Sequence, residues 1–155
     1  MVMAANVEST IYNVAKFRVY VHENESGPNR NVYEVGRANI TASSPTSFGL
    51  VSVGDGLMTS GPDVNTGKLG RAQGLGVSSS LTESVKTITG YFVFTEGKYR
   101  GSTLIALGRI NEEVSVVGGT ALFRLARGYA NSFTYSNDPR TANSIIVYDF
   151  YVNLN

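Results

Sequence analysis

The chain contains no cysteine and no tryptophan, and His22 is its single histidine. Without cysteine there is no disulfide framework, no thiolate nucleophile and no Cys/His metal site. A Ser-His-Asp triad stays formally open, but no Gly-x-Ser-x-Gly elbow occurs to present the serine. An excess of charge of one sign is also missing, since 13 Lys and Arg nearly cancel 12 Asp and Glu. The basic residues are scattered from Lys16 to Arg140, which leaves no electrostatic footprint for nucleic acid or an anionic membrane. No apolar run approaches the roughly 20 residues that span a bilayer as a helix. The opening residues, MVMAANVESTIY, lack a charged segment followed by an apolar one, so no signal peptide is read there. That points to an intracellular protein or to a domain of a longer chain. Accordingly, Asn24-Glu25-Ser26 and Asn39-Ile40-Thr41 read as chance matches to the N-glycosylation pattern. Gly54-Asp55-Gly56 and Gly74-Leu75-Gly76 lack the third glycine and following helix of a nucleotide cradle. No cofactor and no metal are expected.

What the sequence does contain is a period of two. Phe17, Val19 and Val21 alternate with Arg18, Tyr20 and His22, as in a half-buried strand. Similar runs occupy 32–40, 49–53, 70–79, 85–95, 102–110, 114–117, 122–135 and 144–153. Turn chemistry separates them at Glu25-Ser26-Gly27-Pro28-Asn29, Ser43-Ser44-Pro45, Ser60-Gly61-Pro62-Asp63, Glu96-Gly97 and Ser136-Asn137-Asp138-Pro139. About eight or nine short strands without helices predict a sandwich or a closed barrel, and periodicity does not choose between them. Gly118-Gly119 predicts a bend or bulge where a side chain would strike a neighbouring backbone.

Four blocks then occur in order. They are Val19-Tyr20-Val21-His22-Glu23, Gly70-Arg71-Ala72-Gln73-Gly74, FTEGKYRGSTL from Phe94, and VVGGTALFRLARGYA from Val116. Together they resemble the dirigent family of plant proteins over nearly the whole chain. The resemblance implies an eight-stranded antiparallel β-barrel of the dirigent and allene oxide cyclase-like type, with a ligand cavity, assembled as a homotrimer. The barrel is expected over 15–155, with an N-terminal extension over 1–14.

Alternation aims Glu23 into the barrel end, where an unpaired carboxylate is costly to ionise. Such a residue either titrates upward, which suits acid/base work, or sits in a wet polar pocket. The plainer alternative is an exposed strand-end carboxylate opening the turn at Asn24. The resemblance places the family's Asp, proposed to act on a phenolic quinone methide, at Glu23, and a pocket threonine at Thr134. His22 reads as a structural or exposed residue. Other cavity positions depart from the lignan-forming members. Gly76 and Ser78 stand where aromatic side chains line the cavity, Ile110 where there is an Asp, and Glu112 where there is an Arg. Ala72, Gly74, Gly76 and Ser78 share one strand face, so they either line a wide hydroxyl-rich cavity or make room for Phe92, Phe94 or Phe150. The ligand-binding candidates are therefore Glu23, Ser78, Glu112 and Thr134, with no catalytic residue assigned.

With its altered pocket and without cysteines, the chain most resembles the dirigent domains that monocot plants fuse ahead of a jacalin-type lectin domain. That resemblance implies a plant-defence protein whose dirigent-like domain binds a small ligand, expected to be a carbohydrate, without catalysis. A second reading is a dirigent protein guiding stereoselective phenoxy-radical coupling or quinone methide cyclisation, with Glu23 as acid. A third is a trimerisation scaffold for an attached lectin domain.

Overall fold

The computed structural model describes residues 13–154; the expected N-terminal extension lies almost wholly outside them. Nine strands follow one another: β1 Val14–Asn24, β2 Val32–Gly36, β3 Val51–Thr59, β4 Lys68–Ser78, β5 Lys86–Phe94, β6 Thr103–Arg109, β7 Glu113–Gly119, β8 Arg127–Asp138 and β9 Asn143–Asn153. All pair antiparallel, in the order β1-β9-β8-β7-β6-β5-β4-β3, and β3 returns to β1 through Leu57–Thr59 against Tyr20–His22. Closure makes an eight-stranded barrel and removes the open edges such a sheet would otherwise present. Short β2 pairs only with the start of β3, outside the ring.

Three stretches differ from the alternation pattern. β3 runs on through Gly54-Asp55-Gly56 to Thr59, because only glycine leaves space for β1. A Cβ on Gly56 would sit 2.8 Å from Val21 Cγ1 and 3.0 Å from the His22 carbonyl oxygen. Residues 37–40 are not strand, and a 3₁₀ turn follows at Thr41–Ser43. Residues 122–126 are not strand either. A 3₁₀ turn at Ala121–Phe123 and positive φ at Ala121 and Leu125 delay β8 until Arg127. The expected irregularity at Gly118-Gly119 is present as a register shift opposite Ile105/Ala106. A Cβ on Gly119 would lie 2.3 Å from the Thr103 carbonyl oxygen.

The interior changes character along the barrel axis. At the end where β1 begins and β9 finishes, Phe17, Phe94, Tyr99, Phe123 and Phe150 fill the space. Phe17 stacks on Phe150 at 5.2 Å between ring centroids, and Tyr99 lies 5.0 Å from Phe123. Towards the other end β4 and β5 carry Ala72, Gly74, Gly76 and Gly90, and the barrel is hollow.

Candidate functional site

The hollow half is a cavity of about 350 Å³. Its apolar wall comes from Val21, Ile88, Phe92, Ile110, Ile146 and Tyr148, and its polar groups include Glu23, Ser52, Lys86, Thr134 and Ser144. Small residues on β4 keep it open. Gly74 has no alternative there, since a Cβ would sit 1.9 Å from the Thr89 carbonyl oxygen.

Glu23 ends the inward row Phe17, Val19, Val21 of β1 and lies opposite Ser144 of β9. The side chain borders the cavity and so keeps some accessible surface, yet protein surrounds its carboxyl. Burial pushes that carboxyl above its ordinary 4.5; nearby Lys86 opposes the rise and Glu25 adds to it. Tyr148 stands on the same wall, with its ring edge-on to Phe92 at 4.9 Å. Burial, and secondly the charge of Glu23, drive its hydroxyl pKa far above the ordinary 10.0, so it remains a proton-bearing donor. Among the described residues, no side-chain hydrogen bond engages either group. A carboxyl and a phenol therefore face the same cavity with their hydrogen-bonding capacity unused.

The other expected site residues separate. Thr134 reaches the cavity mouth from the irregular stretch of β8, where its hydroxyl donates to Asn111 Oδ1 at 2.9 Å. Ser78 is buried off the cavity wall, under the segment that precedes β3. Its backbone is tied there to Gly49 and Leu50. Ser52 supplies the wall hydroxyl instead, donating to the Gly76 carbonyl at 3.2 Å. Glu112 lies exposed in the β6–β7 turn, paired with Arg109 at 3.1 Å, and does not line the cavity. Its neighbour Ile110 does.

His22 points to the outer side of β1, where it is buried against Thr59. The Thr59 hydroxyl donates its one proton to the Gly61 carbonyl at 2.7 Å, so His22 must donate Nε2–H to Thr59 Oγ1, also at 2.7 Å. It is a structural histidine. Among the described residues no group of acidic and histidine side chains is placed to hold a metal. Sequence reasoning passed over Tyr148 and Lys86. Tyr148 was in reach, because Ser144, Ile146, Tyr148 and Phe150 share one face of β9. Lys86 opens β5, where no alternation precedes it.

Comparison with known proteins agrees with this architecture. The family model described as "Dirigent-like protein" matches residues 14–153. Dirigent protein 23 of Arabidopsis thaliana is 36% identical over 141 residues, covering 88% of this chain and 75% of that protein. Dirigent protein 11 of the same plant is 40% identical over 121 residues, of which this chain spans 63% of the full length. Pterocarpan synthase 1 of Glycine max is 35% identical over 140 residues, or 86% of this chain and 75% of that one. The structure of the pterocarpan synthase dirigent protein GePTS1 superposes with a TM-score of 0.83 at 32% identity, covering 92% of this chain and 91% of that one. In sequence and in fold, the chain belongs to the dirigent family.

Proposed function

We propose that the cavity holds one phenolic ligand and that Glu23 gives it a proton, in ring closure on a quinone methide. One observation carries this reading: a carboxyl with a raised pKa shares an apolar cavity with a phenol, and among the described residues neither holds a side-chain hydrogen bond. Glu23 donates to the carbonyl oxygen of the quinone methide, which becomes a phenol as the methide carbon turns electron-poor. A hydroxyl of the same ligand adds to that carbon, and its proton returns to the Glu23 carboxylate. The sequence of steps is an isomerisation with no net electron transfer. Tyr148 donates a hydrogen bond to a ligand oxygen and fixes its orientation. Phe92 and the aliphatic wall suit a flat ring. Similarity to proteins named pterocarpan synthase weighs in the same direction.

The test is a phenolic quinone methide bearing a pendant hydroxyl, with chiral chromatography of the products. Wild type should give an enantiomeric excess, and Glu23→Gln should lower the rate by about 10²-fold. The rate should fall as pH rises through the raised carboxyl pKa, because the acid form is the active one. Stability follows the same sign. A raised folded-state pKa stabilises the protein fully below 4.5 and less as pH climbs through the raised value, a slope that Glu23→Gln removes. The second reading is a neutral sugar held without catalysis by Glu23 and the mouth groups Thr134, Asn137, Ser144 and Lys86. Racemic products, together with Glu23-dependent NMR shifts on titration with cellobiose, would put that reading in first place.

Assembly is a separate proposal. Tyr33, Val53 and Leu75 form one cross-strand row on the outer wall, each 41–49% exposed, with Tyr91 and Leu107 nearby on β5 and β6. We infer that this wall is covered in a homotrimer, which would also multiply any attached jacalin-type lectin domain. Light scattering should give three times the chain mass, and Leu75→Glu should return the monomer.

A further inference from the structure

We propose that the closed end of the barrel, opposite the cavity mouth, docks on an anionic lipid surface. Three loops close that end, residues 60–67 between β3 and β4, 95–102 between β5 and β6 and 120–126 between β7 and β8, and the last two carry the contact surface. They form one platform. Thr120 N–H donates to the Thr103 carbonyl at 2.8 Å, Leu122 N–H to Ser102 Oγ at 3.2 Å, and the Tyr99 and Phe123 rings meet beneath. The platform exposes Lys98, Arg100 and Arg124, with Arg127 at the start of β8. Lys68 adjoins it, because the carbonyl of its neighbour Leu69 accepts from Thr95 and Glu96 N–H. Glu96 is the one acid on the last two loops, and Asp63 lies on the loop before Lys68.

The cations differ in kind from those at the mouth. Lys86, Arg109 and Arg140 there are each paired with a carboxylate. Among the described residues, Lys68, Lys98, Arg100 and Arg124 have no acidic partner. Between them project two leucines, Leu122 with 56% and Leu125 with 73% of its surface exposed. Leu125 has φ 62° and Ala121 φ 50°, in the left-handed region that side chains other than Gly and Asn avoid. Folding gives no reason for leucine at 125. Its backbone conformation favours glycine or asparagine, and most of its side chain touches nothing.

A bilayer interface accounts for both features. Lysine and arginine meet the lipid phosphates, while leucines enter the acyl boundary. An acidic polysaccharide would satisfy the charges but offer the leucines nothing. The sequence scatters these cations over some sixty positions, from Lys68 to Arg127, and the hairpins gather them at one end. Docked this way, the cavity mouth faces away from the membrane and stays open.

Co-sedimentation with phosphatidylcholine vesicles, with and without phosphatidylserine, tests the proposal. Binding is expected only with phosphatidylserine and should be lost at high salt. Two double variants, Leu122→Ser with Leu125→Ser and Lys98→Glu with Arg124→Glu, should each weaken it by at least about tenfold. All these side chains are exposed, so circular dichroism should be unchanged. Equal partition on both vesicle types, no partition, or full binding by both variants would each overturn the proposal. Tighter retention on polygalacturonate than on phosphatidylserine vesicles would reassign the patch to acidic polysaccharide.

Discussion

The two halves of the barrel interior share their strands but differ in side-chain size and polarity, and only the filled half is plugged by loop residues, Tyr99 and Phe123. β1 passes from Phe17 through Val19 and Val21 to Glu23. β5, read from the closed end, passes from Phe94 and Phe92 to Gly90 and Ile88, and β9 from Phe150 through Tyr148 and Ile146 to Ser144. Backbone pairing runs through both halves, with a register shift at Ile105/Ala106 towards the closed end and another at Thr134/Ser136 at the mouth, so the ladder does not decide where the cavity lies. The filled half packs aromatic rings against one another and leaves no such space, so it stabilises through tight apolar burial. The hollow half gives up packing and leaves room for a ligand beside groups whose ionisation burial has altered.

The sharpest way to break this contrast is to hollow the filled half. Phe150 is 1% exposed and touches the Phe17, Phe92 and Tyr148 rings. Phe150→Ala should cost about 3–5 kcal/mol, the loss expected when a buried aromatic leaves a cavity behind. Thermal or urea denaturation would read it. A cost below about 1 kcal/mol would mean that the two halves are not energetically distinct.

This gradient was partly legible in the sequence. Alternation alone put Phe17, Val19, Val21 and Glu23 on one inward face, because a strand allows only two faces. The small residues Ala72, Gly74 and Gly76 likewise announced either a cavity or space for large neighbours. Both occur, since Phe92 forms part of the cavity wall while Phe94 and Phe150 pack below it. Ser78 shares the β4 face but sits beyond the point where the chain before β3 covers it, a tertiary contact that no local pattern encodes. Glu112 is a site candidate only through the resemblance, which sets it where an Arg stands. The tight β6–β7 turn, with Asn111 at φ 67°, leaves it in solvent. Closure of the ring, and the gathering of cations at one end, depend on pairings between distant strands.

The opposite operation fills the hollow half. Ala72 faces the cavity from β4, and Ala72→Leu places three more carbons in space that is now empty. Stability should change by less than about 1.5 kcal/mol, because the added carbons meet no packed wall. Affinity for a phenolic ligand should drop by about tenfold or more, as the ligand and the new side chain compete for the same volume. Calorimetry on the variant beside wild type measures both. Unchanged affinity would place the ligand outside the barrel.

The smallest effect expected is at Glu112, and it separates the cavity interior from its rim. Its carboxylate pairs with Arg109, but both side chains are well exposed, and Arg109 also meets Glu83. Exposed pairs of this kind contribute a few tenths of a kcal/mol, because solvent screens them and two long side chains lose freedom. Its main structural tie is through the backbone, where the Glu112 carbonyl accepts from Ser132 Oγ at 2.7 Å and from Ser132 N–H at 3.0 Å. Substitution leaves that tie intact. Glu112→Ala should therefore shift stability by less than about 0.5 kcal/mol and leave ligand affinity within about twofold of wild type. Glu23→Ala, which removes a carboxyl from inside the cavity, should not be silent in the same titration. If the two variants weaken binding alike, the ligand spans the mouth as far as the β6–β7 turn, and Glu112 belongs to the site after all.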